Sequence, residues 1–195
     1  MNRTTTILAL VTGLAAGCGP ALAGDLYRIQ PGTTTIGFSV DHLGLFSTAG
    51  TFGRFEGNLL LNLDDPSRSR VEVRVDTTSV AVPSDLAADM LRSADYFDPA
   101  RFPQLRFKAV SVKDLGNDRV EITGDLTIRD ITRREILQAE LTGRNTDPVT
   151  KAEVADFVAS GTVERADFGM TADQDFVSND VRLVITAHIR LDPGG

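Results

Sequence analysis

In the stretch Val120-Glu121-Ile122-Thr123-Gly124-Asp125-Leu126-Thr127-Ile128, apolar or small residues alternate with polar residues at every position. A period of two residues is typical of a β-strand with one buried face, because successive side chains of a strand point to opposite sides. The apolar and small members of the stretch are therefore expected to face the protein interior, and the polar members are expected to face water.

Seven further segments repeat this alternation, so the chain is predicted to be all-β. They are residues 36–42, 55–63, 71–75, 105–109, 137–141, 157–163 and 181–189. About eight strands with one apolar face each are expected to form an antiparallel sandwich or a closed barrel.

Residues 84–93 interrupt the two-residue period and predict one short helix that crosses between strands. Ser84 is a favourable N-cap, and Pro99 prevents continuation of the helix beyond the segment. The apolar residues between them recur at helical spacing, at Leu86, Met90 and Leu91.

The N-terminus has the pattern of a secretory signal peptide over residues 1–23, which leaves one domain over residues 24–195. Arg3 precedes an apolar run over residues 7–16, and Ala21-Leu22-Ala23 supplies small residues for cleavage after Ala23. The apolar run is shorter than the roughly 20 residues of a membrane span, so no stable span is expected. Lipid anchoring at Cys18 is the less favoured alternative, because Ala15 stands where a lipobox prefers leucine. Either pattern exports the chain from the cytoplasm.

The composition argues against several functional classes. With 27 acidic and 20 basic residues the chain has a net charge of −7, which is unfavourable for binding nucleic acid. Its single cysteine, Cys18, lies in the predicted signal, and His42 and His188 are too few for an ordinary zinc site. No nucleophile elbow, phosphate loop or metal-protease motif occurs, so we expect no catalytic residue, no metal and no cofactor other than a bound lipid.

The apolar faces of the strands could surround either a filled core or a ligand cavity. An outer-membrane barrel is disfavoured, because the chain has no Trp and only two Tyr for interfacial girdles. Small residues interrupt the inward rows and would either leave open volume or mark bends and strand crossings. These residues are Gly57, Gly124, Ala139, Ala159, Gly161 and Ala187.

Two polar residues continue the apolar rows. His42 is in phase with Phe38 and Val40, so it would meet a polar head group at a cavity mouth or donate to a backbone carbonyl as a core histidine. Arg165 continues the row of residues 157–163, so it would donate to a quinone carbonyl or pair with Asp167 at the end of a barrel. The acidic residues near position 175 lack the spacing of a calcium loop and predict a solvated loop.

Four blocks of sequence, spread over nearly the whole exported part and in the same order, resemble the YceI-like family. They are Phe38-Ser39-Val40-Asp41-His42-Leu43-Gly44 with Gly50-Thr51-Phe52-Gly53-Arg54-Phe55-Glu56-Gly57; Leu91-Arg92-Ser93-Ala94-Asp95-Tyr96-Phe97-Asp98 with Phe102-Pro103-Gln104-Leu105-Arg106-Phe107; Gly124-Asp125-Leu126-Thr127-Ile128-Arg129; and Arg165-Ala166-Asp167-Phe168-Gly169-Met170. Two departures from the family pattern are Arg133-Arg134, where a Lys-Pro pair is common, and Met90, where a histidine is common.

The resemblance implies a lipocalin-like antiparallel β-barrel, usually periplasmic, that holds an amphipathic long-chain molecule, such as a polyprenyl quinone or a fatty-acid derivative, in an elongated apolar cavity. Together with the alternating segments, it predicts an eight-stranded antiparallel barrel. We therefore predict a lipid or isoprenoid carrier that catalyses no reaction. The expected ligand-binding residues are Phe38, Val40, His42, Phe55, Leu91, Phe97, Phe107, Leu126, Ile128, Arg165 and Phe168.

Two other functions remain open from the sequence. The first is an isomerase or cyclase in which His42 or Arg165 polarises a carbonyl group of a hydrophobic substrate. The second is a stress protein with a filled core and no ligand. The sequence also leaves open whether the protein is a monomer or a homodimer.

Overall fold

Eleven antiparallel strands form one curled sheet in the computed structural model, which describes residues 25–191. The strands are β1 (Asp25–Ile29), β2 (Thr34–His42), β3 (Phe46–Phe52), β4 (Phe55–Leu61), β5 (Arg70–Asp76), β6 (Val80–Ala81), β7 (Gln104–Gly116), β8 (Arg119–Ile128), β9 (Ile131–Thr146), β10 (Glu153–Glu164) and β11 (Val177–Leu191). One short helix, α1 (Asp85–Leu91), lies between β6 and β7. Short 3₁₀ turns cover Pro66–Arg68, Thr77–Ser79 and Arg165–Phe168.

The strand order is β1-β4-β5-β7-β8-β9-β10-β11-β2-β3-β6, so β1 and β6 form the two edges of the sheet. β3 and β4 are consecutive in the chain but lie near opposite ends of this order. The sheet is curled, and its inner face surrounds the interior of the protein. The predicted all-β antiparallel class with one short crossing helix is confirmed. The predicted number of eight strands is wrong, because β1, β3 and β6 were not recognised.

Each of the three additional strands has a physical reason for its weak sequence signal. β6 has two residues and β1 is an edge strand of five residues. On β3, the small residues Thr48 and Gly50 pair in register with Val40 and Phe38 of β2, respectively. The bulk on this part of the inner face therefore comes from the neighbouring strand, and β3 itself shows no apolar alternation.

Helix α1 begins where its cap was expected. The Ser84 hydroxyl accepts a hydrogen bond from the backbone N–H of Ala87 at 3.4 Å. Arg92, which follows the helix, donates to the carbonyl of Val80 at 2.8 Å and ties the helix end to β6. Leu86, which the helical spacing placed on the apolar face, is 81% exposed, whereas Leu91 packs toward the interior.

One interpretation of the small inward residues was that they leave open volume. The glycines among them do not leave such volume. A Cβ at Gly124 would overlap the ring of Phe107, its neighbour across β7 and β8. A Cβ at Gly161 would lie 2.6 Å from Cδ2 of Leu137. Both glycines therefore accommodate a large side chain of the adjacent strand, which packs directly on their backbone.

The predicted signal peptide, including Cys18, lies outside the described residues. Within residues 25–191 the structure contains no helix that is long and apolar enough to cross a membrane.

Candidate functional site

The inner face of the curled sheet and helix α1 surround a cavity of about 310 Å³ whose accessible surface is almost entirely apolar. Cavities of this size and character are typical sites for small apolar ligands. The wall includes side chains from nearly every long strand, together with Leu91 and Phe97 from the segment that crosses between β6 and β7.

Nine of the eleven residues expected to bind a ligand line this cavity. They are Phe38, Val40, His42, Leu91, Phe97, Phe107, Leu126, Ile128 and Arg165. The rings of Phe38 and Phe52 lie 5.5 Å apart, and Phe52 makes an edge-on contact of 5.6 Å with Phe97. These aromatic contacts connect β2, β3 and the crossing segment at the cavity wall.

The other two expected residues, Phe55 and Phe168, are not part of the cavity wall. Phe168 is completely buried and Phe55 is 8% exposed, and both belong to the core cluster with Val80 and Met170. Phe168 lies in the 3₁₀ turn Arg165–Phe168, which ends the inward alternation of β10. The structure thus gives these two phenylalanines a packing role.

His42 lines the cavity at the end of β2. Its Nε2 lies 2.9 Å from the hydroxyl oxygen of Thr48 on β3, and its ring stacks on Phe46 at 4.6 Å. The expected alternative partner, a backbone carbonyl, is replaced by this hydroxyl. The adjacent hairpin exposes large apolar side chains, since Leu43, Leu45 and Phe46 are 64%, 80% and 62% exposed.

Arg165 is only 4% exposed. Its charged guanidinium group donates hydrogen bonds to four backbone carbonyls. The guanidinium donates to the carbonyls of Ser178 at 3.0 Å, Met170 at 2.9 Å, Ala172 at 2.6 Å and Val177 at 3.1 Å. These bonds occupy four of its five N–H groups. They join the end of β10 to the start of β11.

The expected Arg165–Asp167 pair does not form. Among the described residues Arg165 has no carboxylate within ion-pair distance, and Asp167 is exposed on the 3₁₀ turn. The turn directs the two side chains apart, because it breaks the strand geometry in which residues two apart share a face.

Tyr96 is a cavity residue that the sequence did not single out. Its hydroxyl donates to Oδ2 of Asp173 at 2.7 Å, which links the crossing segment to the loop before β11. Burial, and then the hydrogen bond that the hydroxyl donates to the Asp173 carboxylate, raise the pKa of Tyr96 to about 12. The phenol therefore stays neutral and in place throughout the physiological range.

Glu135 is another cavity residue that the sequence did not single out. It lies on β9 opposite Gly124 of β8, and its side chain is half-buried. Burial, and then the negative charges of Asp167 and Glu164, raise the pKa of Glu135. Its position in the sequence could have identified it, because Glu135 is two residues before the inward Leu137 and therefore lies on the same face of β9.

A second depression, of about 390 Å³, lies on the outer side of the sheet. It is lined by threonines and by the pair His188–Asp156, whose Nδ1 and Oδ1 are 2.6 Å apart. Because this depression is largely polar and open to water, we place the candidate ligand site in the inner cavity. In the described part of the chain no three His, Cys, Asp or Glu residues are grouped so as to hold a metal ion.

Comparison with protein families gives a match to the YceI-like domain over residues 27–189. The chain is 34% identical to protein YceI of Escherichia coli O17:K52:H18 over 174 residues, which cover 89% of this chain and 90% of that protein. It is 36% identical to protein YceI of Salmonella arizonae over 151 residues, 77% of this chain and 78% of that protein.

Solved structures share the fold at low sequence identity. BcnA of Burkholderia cenocepacia superposes with a TM-score of 0.72 at 16% identity, over 80% of this chain and 96% of that chain. A polyisoprenoid binding domain from Saccharophagus degradans, implicated in plant cell wall breakdown, superposes with a TM-score of 0.58 at 13% identity, over 86% and 100% of the two chains.

Proposed function

Since the chain belongs to the YceI-like family, we propose that it binds an amphipathic isoprenoid or a similar long-chain lipid inside the curled sheet and acts as its carrier. The observation that carries the proposal is the apolar cavity of about 310 Å³, which is enclosed by the sheet and covered by helix α1. The polyisoprenoid binding domain of Saccharophagus degradans has the same fold and supports this class of ligand.

Transfer of apolar surface out of water supplies the affinity. Each buried CH₂ group contributes about 0.8 kcal/mol, so a tail of several prenyl units exceeds the association cost of roughly 4–15 kcal/mol. In this proposal the tail lies along Phe38, Phe107 and Leu126.

Binding accounts for the site better than catalysis does. Three polar side chains of the wall are engaged by the protein itself: Arg165 by backbone carbonyls, Tyr96 by Asp173, and His42 by Thr48. Catalysis by electrostatic stabilisation needs several polar groups that converge on a reacting atom. Here these groups hold the loops that surround the cavity.

We further propose that the carrier works in the periplasm after cleavage of the signal peptide at Ala23. The n-region, apolar run and small residues over residues 1–23 support this location.

The proposal is tested by filling the cavity from one strand of its wall. Ala159 of β10 lines the cavity, and the next residue, Ser160, is exposed on the outer face. Ala159→Phe should lower the affinity for farnesol by at least about tenfold, because the new ring occupies the space of a prenyl unit. Ser160→Phe adds the same ring outside and should leave the affinity unchanged.

Native mass spectrometry of the gently purified protein provides the second measurement. A co-purified hydrophobic molecule, lost in Ala159→Phe and retained in Ser160→Phe, is the expected result. Equal farnesol affinity of both folded variants and the wild-type protein would contradict an interior site.

A further inference from the structure

The end of the cavity beside the β2–β3 hairpin is surrounded by exposed apolar side chains from three segments, residues 42–48, 83–91 and 170–177. In each segment a large apolar residue that faces water adjoins a residue of the cavity wall. The exposed residues, here called the apolar rim, are Leu43, Leu45, Phe46, Leu86 and Phe176, and the wall residues beside them are His42, Ala87 and Val177. Contiguous exposed apolar patches mark sites of interaction.

Strand pairing brings the three segments together. Val177 pairs with His42 across β11 and β2, and His42 pairs with Phe46 across β2 and β3. After β6, which pairs antiparallel with the far end of β3, the chain runs toward the hairpin and enters α1. Met90 of α1 lines the cavity and is 42% exposed, so the cavity wall continues into the surface at this end.

Leu43 occupies a position where neither its exposure nor its backbone favours leucine. Its φ is 51°, in the left-handed region that asparagine and glycine tolerate best. The turn is closed by the N–H of Leu45, which donates to the carbonyl of His42 at 2.9 Å. Folding alone would be served better by asparagine, so the leucine points to a contact outside the chain.

The charges beside the apolar rim are acidic. The three segments contain no Lys or Arg, and the exposed carboxylates Asp85 and Asp175 directly precede Leu86 and Phe176. Two arginines outside the segments are ion-paired, Arg92 with Asp89 and Arg182 with Asp41. An acidic surface is repelled by anionic lipids, whereas zwitterionic lipids carry an ammonium group at the membrane surface.

We propose that the apolar rim docks on the surface of a zwitterionic bilayer, and that the bound lipid enters and leaves the cavity through this contact. The proposal rests on the proposed function and names the partner of the same cavity. A prenyl tail that crosses free water exposes all of its apolar surface. A rim inserted among the lipid head groups gives the tail an apolar path from the bilayer to the cavity wall.

A bilayer matches the form of the apolar rim better than a protein surface does. The rim side chains come from a hairpin, a helix and a loop, and they surround an opening instead of forming one continuous face. A protein partner needs a packed, complementary surface for each of them. A fluid membrane interface accepts each side chain separately, and its affinity grows with the apolar area that leaves water.

Flotation of the full exported chain with phosphatidylcholine vesicles measures the docking. The wild-type protein should bind, and Leu45→Gln/Leu86→Gln should bind at least about tenfold more weakly, because two leucines no longer leave water. Val149→Gln is the control and should bind like the wild-type protein. Val149 is 87% exposed, in the loop between β9 and β10, at the opposite end of the β10–β11 pair from Val177.

Lipid charge provides the second measurement. Vesicles in which about a third of the lipid is phosphatidylglycerol should bind the wild-type protein at least about threefold more weakly than pure phosphatidylcholine, because both surfaces are then negative. Tighter binding to the anionic vesicles would overturn the choice of a zwitterionic surface.

Leu43→Asn separates docking from folding. Asparagine suits the positive φ, so the variant should be at least as stable as the wild-type protein in urea unfolding. It should nevertheless bind phosphatidylcholine vesicles at least about threefold more weakly, because it removes a leucine from the apolar rim. Unchanged vesicle binding by this variant and by Leu45→Gln/Leu86→Gln would overturn the docking surface.

Farnesol affinity distinguishes this inference from the proposed function. Leu45→Gln/Leu86→Gln should keep the wild-type farnesol affinity within about twofold, because both residues lie outside the cavity wall. Farnesol binding without vesicle binding by the wild-type protein overturns the docking and leaves a lipid carrier. If that protein instead forms a dimer in analytical ultracentrifugation that the double variant abolishes, the rim belongs to a second copy of the chain. Vesicle binding without farnesol binding overturns the proposed function, and binding of neither overturns both.

Discussion

The Nη1 atom of Arg165 donates to the carbonyl oxygen of Ala172 at 2.6 Å, and this bond holds the loop before β11 against the end of β10. The same nitrogen donates to Met170, and the remaining nitrogens donate to Val177 and Ser178. One buried cation therefore organises a whole connection through backbone groups. These bonds stabilise the connection between β10 and β11.

Arg165→Met should destabilise the fold by about 3–5 kcal/mol, because four carbonyls lose their donor and nothing nearby replaces it. Arg165→Lys keeps the charge but not the planar fork, so it should recover only part of the loss. Denaturant unfolding measures both effects. Farnesol affinity of the folded variants should stay within about twofold of the wild-type value. A large loss of affinity with unchanged stability would instead assign Arg165 to the ligand.

The fold class was predictable because most of its information is local. Strands such as Arg119–Ile128 bury one face, so their sequence alternates, and Ser84 caps a helix through its own side chain. β3 was not predictable, because its inner face is small where Phe38 of β2 supplies the bulk. That complementarity is a property of the two strands together, so β2 shows the apolar alternation and β3 does not.

Gly124→Ala should destabilise the protein by about 1–3 kcal/mol, since the new Cβ overlaps the ring of Phe107 in a packed wall. The double variant Gly124→Ala/Phe107→Leu should be more stable than the sum of the two single effects predicts, because the overlap with the ring is gone. The recovery should be partial, since the Lys108 carbonyl also lies 2.9 Å from the Cβ position. Thermal or urea unfolding of the four proteins measures the coupling.

Gly53→Ala provides the control for this cycle. The nearest atom to a Cβ at Gly53 is the Ser79 carbonyl oxygen at 3.8 Å, an ordinary contact. This variant should be nearly neutral. Strict additivity of the Gly124 and Phe107 variants would show that the ring does not pack on the glycine.

Tyr96 gives the stability of the protein an alkaline dependence. Its pKa is raised to about 12 in the folded protein against 10 in the unfolded chain, so only the unfolded chain loses this proton between about pH 10 and pH 12. The stabilisation is complete below pH 10 and is lost as the pH rises through 12. Urea unfolding should therefore show a steeper decline over this interval in the wild-type protein than in Tyr96→Phe. Parallel pH profiles of the two proteins would contradict a buried phenol bonded to Asp173.

The candidate site was predictable where it is apolar and less so where it is polar. Strand residues such as Phe38, Phe107 and Leu126 were predictable because their inward phase is visible in the sequence. Leu91 and Phe97 lie in the crossing segment, and the family resemblance indicated them. Glu135 was overlooked because it follows Arg133-Arg134 in a charged run that resembles a loop, although β9 begins at Ile131 and continues through it. Tyr96 and Asp173 are 77 positions apart, so only the folded chain brings them together.

We expect the bound ligand to leave the protein chemically unchanged. His42 is the histidine of the described cavity wall, and its Nε2 is engaged with the Thr48 hydroxyl at 2.9 Å, so His42→Ala should alter affinity and stability at most. Thr48→Val removes the same hydrogen bond while leaving the imidazole in place, and it should behave like His42→Ala.

Mass spectrometry of the co-purified molecule, and of farnesol after long incubation with each protein, measures the outcome. A general acid or base on a single histidine could accelerate an isomerisation, so time is the informative variable. Conversion that grows with incubation time in the wild-type and Thr48→Val proteins but is abolished in His42→Ala would make the protein an enzyme. Recovery of the same mass and double-bond geometry from all three proteins is the result that a carrier requires.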